Sequence, residues 1–125
     1  MDFSELIARA RAVLSPRALS ADASAGGVAA AILTRGGHVY TGVCIDTACS
    51  MGFCAEHAAA AAMVTAGEHE IAQIVAVGSH GQIMPPCGRC REFLSQLADA
   101  NGEAEVLVAD GVVVRLKELL PYSWR

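Results

Sequence analysis

Two short cysteine motifs constrain the fold more than any other feature of the sequence. Residues 54–56 read Cys-Ala-Glu and open an alanine-rich helix, and residues 86–90 read Pro-Cys-Gly-Arg-Cys and open a second one. Both motifs place thiols at helix amino termini, where free N–H groups and the helix dipole favour the thiolate form that binds metals. A shared metal ion would therefore bring the two helix starts together.

The cysteine count and spacing predict an open zinc site. Cys87 and Cys90 lie three residues apart, so they can reach one ion from a single helical turn. With Cys54 they give three sulfurs, which leave one position of a tetrahedral zinc open, the composition of a catalytic site. Glu56 can approach the same ion only if the metal lies beyond the helix end near the axis. A carboxylate there can take a proton from a water whose pKa the metal has lowered to ~7 and return it elsewhere.

Other interpretations of these residues remain open at this point. Cys87 and Cys90 also fit a buried thiol pair or a redox Cys-x-x-Cys. Glu56 alone would be an ordinary first-turn acid that stabilises the helix dipole. A closed structural zinc site would leave Cys54 spare and give Glu56 no role. Its four sulfurs would come from Cys44, Cys49, Cys87 and Cys90.

Composition narrows the classes of protein to consider. The 125 residues, 54% of them hydrophobic, suffice for one domain spanning residues 1–125. The net charge is −4 and the basic residues are scattered except around Arg89 and Arg91, which disfavours a nucleic-acid partner. No apolar run reaches the roughly 18 residues that span a membrane. An odd count of five cysteines is unsuited to a disulfide framework, so we expect a cytoplasmic protein.

Residue periodicity predicts a helix-covered mixed sheet. Residues 42–53 show no clear period and are predicted to be a loop. Asp110-Gly111 predicts a hairpin with a type I′ turn. The predicted helices are 2–14, 54–66 and 87–98, with one helical turn at 116–120; the predicted strands are 28–33, 39–41, 71–78, 106–109 and 112–115.

The two cysteine motifs, with Val-Tyr-Thr-Gly at 39–42 and Glu-Leu-Leu-Pro at 118–121, resemble the cytidine deaminase superfamily. The resemblance is strongest to its small all-cysteine members, cytidine deaminase and blasticidin S deaminase. It implies a three-layer α/β/α sandwich with a five-stranded mixed sheet whose last two strands are antiparallel. It also implies Zn²⁺ on Cys54, Cys87 and Cys90, Glu56 as the proton shuttle, and a homotetramer.

The reaction that the resemblance implies is hydrolytic deamination of a free cytidine-like aminopyrimidine nucleoside to its uracil-like product plus ammonia. Glu56 would protonate N3 of the ring and then the leaving amine, while the Ala55 N–H and the Pro85 carbonyl would orient the base. Nucleic-acid editors of this superfamily usually run their last strands parallel, and the two residues between 109 and 112 cannot make such a crossover. The alternative substrates are blasticidin S and other small amino-heterocycles.

The sequence departs from the family pattern where the sugar is held. Cytidine deaminases carry an Asn, and a Glu two residues later, whereas this chain has Cys44 and Asp46. The carboxylate is kept but shortened, and the amide is lost. Both residues are predicted to bind substrate, although a loop aspartate often only caps a turn.

A second departure concerns the charge around the metal. The Arg that often follows the catalytic Glu, and offsets thiolate charge there, is His57 in this chain. Three thiolates on a divalent cation leave about one excess negative charge. His57, Arg89 and Arg91 are the candidates to offset it, and each could instead be an ordinary packed or surface residue.

The aromatic residue that would stack on the base is also missing, because residues 26–28 read Gly-Gly-Val. Tyr122 and Trp124 lie at the end of the chain. Trp124 is predicted either to close over the substrate of a neighbouring subunit or to pack on its own.

Overall fold

The computed structural model describes residues 2–125, which form one mixed sheet with helices on both faces. Short 3₁₀ segments cover Ala48–Ser50, Asp99–Glu103 and Leu116–Leu119. The helices are α1 (Ser4–Val13), α2 (Ala55–Thr65) and α3 (Gly88–Leu97); the strands are β1 (Arg17–Ala18), β2 (Ala23–Thr34), β3 (Val39–Thr47), β4 (Ile71–Val77), β5 (Ile83–Met84), β6 (Glu105–Ala109) and β7 (Val112–Arg115).

The five longer strands lie in the order β3-β2-β4-β6-β7. Strand β2 is antiparallel to both β3 and β4, β4 is parallel to β6, and β6 is antiparallel to β7. Two-residue strands β1 and β5 extend the edges of β2 and β4 and were not predicted. The mixed sheet and its antiparallel last pair confirm the predicted fold class.

Alternation along β2 assigns its side chains to two separate cores, since successive residues of a strand point to opposite faces. Ala29 and Ala31 lie in the core beneath α1, with Phe3 and Leu6. Ala30 and Ile32 face the other core, which α2 and α3 cover. The three layers are therefore α1, the sheet, and the pair α2 and α3.

Helix α2 lies unusually close to β3, and Gly42 permits the approach. A Cβ at position 42 would lie 2.3 Å from the Ala59 nitrogen and 2.6 Å from the Ala58 Cβ. The alanine run of α2 supplies the matching small surface, and Ala59 and Ala60 are fully buried. This close packing fixes the position of the start of α2, and so of Cys54 directly before it, relative to the sheet.

Two local predictions were wrong. Residues 42–47 belong to β3 rather than to a loop, because pairing of Thr47 with Ala23 and of Ile45 with Ala25 extends the strand without any alternating pattern. The turn at Asp110-Gly111 is not type I′, which requires positive φ at both residues, since only Gly111 adopts it. A register shift between Leu107 and Ala109 takes up the difference.

Asn101 ties the end of α3 to the start of β4 and is fully buried. Its side-chain oxygen accepts a hydrogen bond from the Ile71 N–H at 2.8 Å. Its amide donates to the carbonyls of His69 and Leu94, each at 3.0 Å. One side chain thus satisfies three backbone groups, of which those of Ile71 and Leu94 are buried.

We expect Asn101→Ala to lower the free energy of unfolding by about 3 kcal/mol, because it leaves buried polar groups without partners. Chemical denaturation measures the change. Gln96→Ala removes an exposed amide and serves as the control, with an expected loss under about 0.5 kcal/mol. A loss below about 1 kcal/mol for Asn101→Ala would contradict this role.

Candidate metal centre and active-site cleft

The two helix starts bring three cysteines together. Cys54 is the N-cap of α2, Cys87 is the N-cap of α3, and Cys90 lies one turn into α3. The Cys54 and Cys87 sulfurs are 3.6 Å apart, and the Cys87 and Cys90 sulfurs are 3.5 Å apart. All three sulfurs lie within 4.8 Å of one another.

This spacing fits a zinc ion. Zinc–sulfur bonds of about 2.3 Å at tetrahedral angles separate ligand sulfurs by about 3.8 Å, close to the observed distances. Among the described residues, these cysteines are the only group of three or more potential metal ligands whose ligand atoms lie this close together. Cys44 and Cys49 lie outside it, which disfavours the four-sulfur structural site.

The helix N-terminus acts directly on Cys87. Burial alone would raise the pKa of this thiol, but the N–H groups of Cys90 and Arg89 and the two neighbouring thiols hold it below its ordinary value. The start of α3 thus favours the Cys87 thiolate, as predicted, whereas the same prediction is wrong for Cys54, the N-cap of α2, whose pKa is raised.

The other two thiols are held neutral without a cation. Burial raises the pKa of Cys54 and, more strongly, that of Cys90, and the negative neighbours Cys87 and Glu56 add to these effects. Because a metal binds the thiolate, loading the site must release protons, and its affinity falls as pH falls.

Glu56 is the buried carboxyl of the site. It lies in the first turn of α2, is 5% exposed, and lines the same cleft as Cys54 and Cys87. Burial raises the pKa of this carboxyl. A carboxyl with a raised pKa accepts and returns a proton near neutrality more readily than a solvated one, which suits a general acid–base.

The cleft has a volume of about 620 Å³, the size range of small-molecule sites. Four residues predicted to contact substrate line it, namely Cys44, Asp46, Ala55 and Pro85. A larger cleft of about 730 Å³ lies between α1 and the β2–β3 hairpin and is lined by none of the predicted site residues.

Cys44 and Asp46 both line the cleft from strand β3. The buried Cys44 sulfur accepts the Val28 N–H at 3.3 Å and lies 3.8 Å from the Asp46 carboxylate, to which its thiol donates. Asp46 is in strand β3 rather than a loop, which removes the turn-cap interpretation.

The three residues predicted to offset thiolate charge occupy different places. Arg89 is exposed and lines the cleft. Burial, followed by the charge of Arg89, lowers the pKa of His57, whose Nδ1 lies 3.3 Å from the Cys90 sulfur. Arg91 points away and donates to the Pro86 carbonyl at 2.7 Å, beside the cleft-lining Pro85.

Two aromatic residues were missed. Phe53 lines the cleft immediately before Cys54, and its position in the sequence was a usable signal. Phe93 stacks on His57, and its place three residues after Cys90 puts it on the same face of α3 as Cys90.

Trp124 donates to Glu92 of its own chain at 3.1 Å while remaining 76% exposed.

Fold and site together define an α/β/α protein with a candidate catalytic metal centre. The chain is 34% identical over 96 residues to the cytidine deaminase of Mycobacterium tuberculosis, covering 75% of this chain and 69% of that protein. It is 33% identical over 98 residues to the cytidine deaminase of Halalkalibacterium halodurans, covering 75% and 74%. No protein-family model matches.

Solved structures of cytidine deaminases have a fold similar to that of this chain. The crystal structure of cytidine deaminase from Mycobacterium tuberculosis has a TM-score of 0.83 and 27% identity, covering 100% of this chain and 98% of that one. The cytidine deaminase from Burkholderia pseudomallei has a TM-score of 0.78 and 30% identity, covering 99% and 100%. The chain belongs to the cytidine deaminase family.

We expect the purified protein to hold about one zinc per chain, and Cys87→Ala to lose both the metal and stability, because each thiolate supplies part of the binding energy. Metal analysis by mass spectrometry against protein concentration measures this. Cys44→Ala and Cys49→Ala are the matched controls and should keep the zinc. Zinc that survives Cys54→Ala but is lost from Cys44→Ala would instead support the four-sulfur structural site.

Proposed function

We propose that this chain is a zinc-dependent hydrolase that deaminates a free cytidine-like nucleoside to the uracil-like product and ammonia. One observation carries the proposal: a three-thiol cluster and a buried carboxyl, Glu56, border the same nucleoside-sized cleft. Three sulfurs leave a tetrahedral zinc one open position, as in catalytic rather than structural sites.

Cys54, Cys87 and Cys90 would hold the zinc, which when bound lowers the pKa of water and so supplies a nucleophile at neutral pH. Glu56 would take one proton from the attacking water and deliver it to N3 of the base; it would then take the remaining proton of the added hydroxyl and deliver it to the amine, which leaves as ammonia while the ring carbon becomes a carbonyl. Burial raises the pKa of its carboxyl, which suits a group that must both accept and release a proton.

The base is oriented by backbone groups at the cleft wall. The Ala55 N–H is free for a ligand because it lies in the first turn of α2, where N–H groups lack partners within the helix. The Pro85 carbonyl lies on the opposite motif and is braced through the Arg91 contact with Pro86. Phe53 supplies an aromatic surface for the ring.

Cys44 and Asp46 bind the group attached to the base. Asp46 offers a carboxylate whose hydrogen bond from Cys44 is a weak one at 3.8 Å, so it remains able to accept donors from a substrate. Among the described residues that line the cleft none carries a side-chain amide, and this favours the second candidate, deamination of blasticidin S or another small amino-heterocycle.

The charge of the chain supports a free nucleoside rather than a polynucleotide. The net charge is −4, and Arg89 is the cation among the described residues that line the cleft. Backbone phosphates require clustered cations. No helix in the described residues is long and apolar enough to span a membrane.

We further infer a cytoplasmic homotetramer. Several large apolar side chains are exposed on the isolated chain, as expected of surfaces that meet other copies. They include Leu19, Met51, Val112, Val113, Tyr122 and Trp124.

Glu56→Gln tests the mechanism. The variant should fold and keep zinc, and its ammonia release from cytidine should fall at least ~10²-fold, the usual contribution of a positioned acid–base group. Wild-type turnover is compared across cytidine, deoxycytidine and blasticidin S.

Glu5→Gln is the matched control, because Glu5 also lies in the first turn of a helix but far from the thiols. It should leave turnover unchanged. Near-full activity of Glu56→Gln would remove Glu56 from the mechanism, and absence of ammonia release from every substrate would contradict the proposed function.

A further inference from the structure

His57 and Phe93 connect the two helices that carry the cysteines. His57 lies in α2 and Phe93 in α3. Their rings stack with centroids 4.1 Å apart and planes within 14° of parallel. This contact lies directly behind Cys90, whose sulfur is 3.3 Å from His57 Nδ1.

The chemistry of a ligating thiolate fixes the direction of that contact. A metal-bound Cys90 carries no proton, so Nδ1 must be the donor and the imidazole must hold its hydrogen there. Cys90 is fully buried, and solvent therefore cannot replace this donor. Hydrogen bonds to ligand atoms from outside the metal's own shell commonly change metal affinity 10–100-fold.

An imidazole must be oriented before it can donate along one direction. The terminal torsion of histidine is broad, and rotation of the ring would turn Nδ1 away from the sulfur. The face of Phe93 restricts that rotation, because the two rings stay stacked only while the imidazole plane remains parallel to the phenyl plane. Phe93 is itself packed against the core beneath α2 and α3.

We propose that Phe93 is a positioning residue of the metal centre: by stacking on His57 it directs Nδ1–H at the Cys90 thiolate and so sets how firmly the protein retains zinc. This inference rests on the proposed zinc site. It assigns Phe93 no contact with substrate and no step of proton transfer.

Zinc release to a chromophoric chelator tests the inference. Phe93→Leu, which keeps apolar volume but loses the ring plane, should release zinc about 10-fold faster than wild type. Phe93→Tyr keeps the ring and should release it at the wild-type rate. Phe93→Met is the second variant if Phe93→Leu does not fold.

Two comparisons separate this role from general destabilisation. Phe3→Leu makes the same change in the other core, beneath α1, and should leave zinc release unchanged even if the protein melts earlier. In a His57→Ala background, Phe93→Leu should change the release rate by less than about 2-fold, since residues that act through one another are not additive.

Cobalt(II) in place of zinc provides a spectroscopic readout. Phe93→Leu and His57→Ala should shift the thiolate-to-cobalt charge-transfer band to longer wavelength, because a thiolate without its hydrogen-bond donor is easier to oxidise. Unchanged zinc release and an unchanged band in Phe93→Leu, with a wild type that deaminates, would overturn only the role of Phe93. A wild type that binds neither ion would overturn the proposed function as well.

Discussion

The structure depends on one geometric constraint: the amino termini of α2 and α3 must meet closely enough for three sulfurs to share an ion. The antiparallel bridge between Ile45 of β3 and Phe53 holds the residue before Cys54 against the sheet. The pairing of β5 with β4 likewise holds the segment that leads to Cys87. Gly42 lets α2 lie against the sheet, so the position of its first residue is set by backbone contact rather than by flexible side chains.

That convergence has an electrostatic consequence. Cys54, Cys90 and Glu56 are all driven toward their neutral forms, while Cys87 alone is held toward the thiolate by the start of α3. Burying this many acidic groups together is costly unless a cation balances them. A divalent metal supplies that balance for the thiols and leaves Glu56 as the group able to carry a proton. Arg89 at the cleft contributes a positive charge, and His57 contributes a hydrogen-bond contact with Cys90.

Helix periodicity predicted the helices and a mixed sheet covered by them, and cysteine spacing predicted the three-thiol cluster, because each is a strong local signal. The three-layer arrangement was instead implied by the family resemblance. It did not predict residues 42–47 as strand, since pairing with β2, rather than any pattern within those residues, makes them extended. Phe93 was missed for a related reason: a phenylalanine in an amphipathic helix indicates only burial, and its stacking partner lies on another helix. That residues 1–125 form a single domain stays a prediction.

X-ray absorption at the zinc edge of the purified protein tests the central claim most directly, because it counts ligand atoms by element. The account predicts three sulfurs at about 2.3 Å and one lighter oxygen or nitrogen atom in the remaining position. Four sulfurs would show a closed structural site, and a zinc surrounded by light atoms alone would show that the cysteines do not hold the metal. Either result would contradict the convergence of the two helix starts on a catalytic ion.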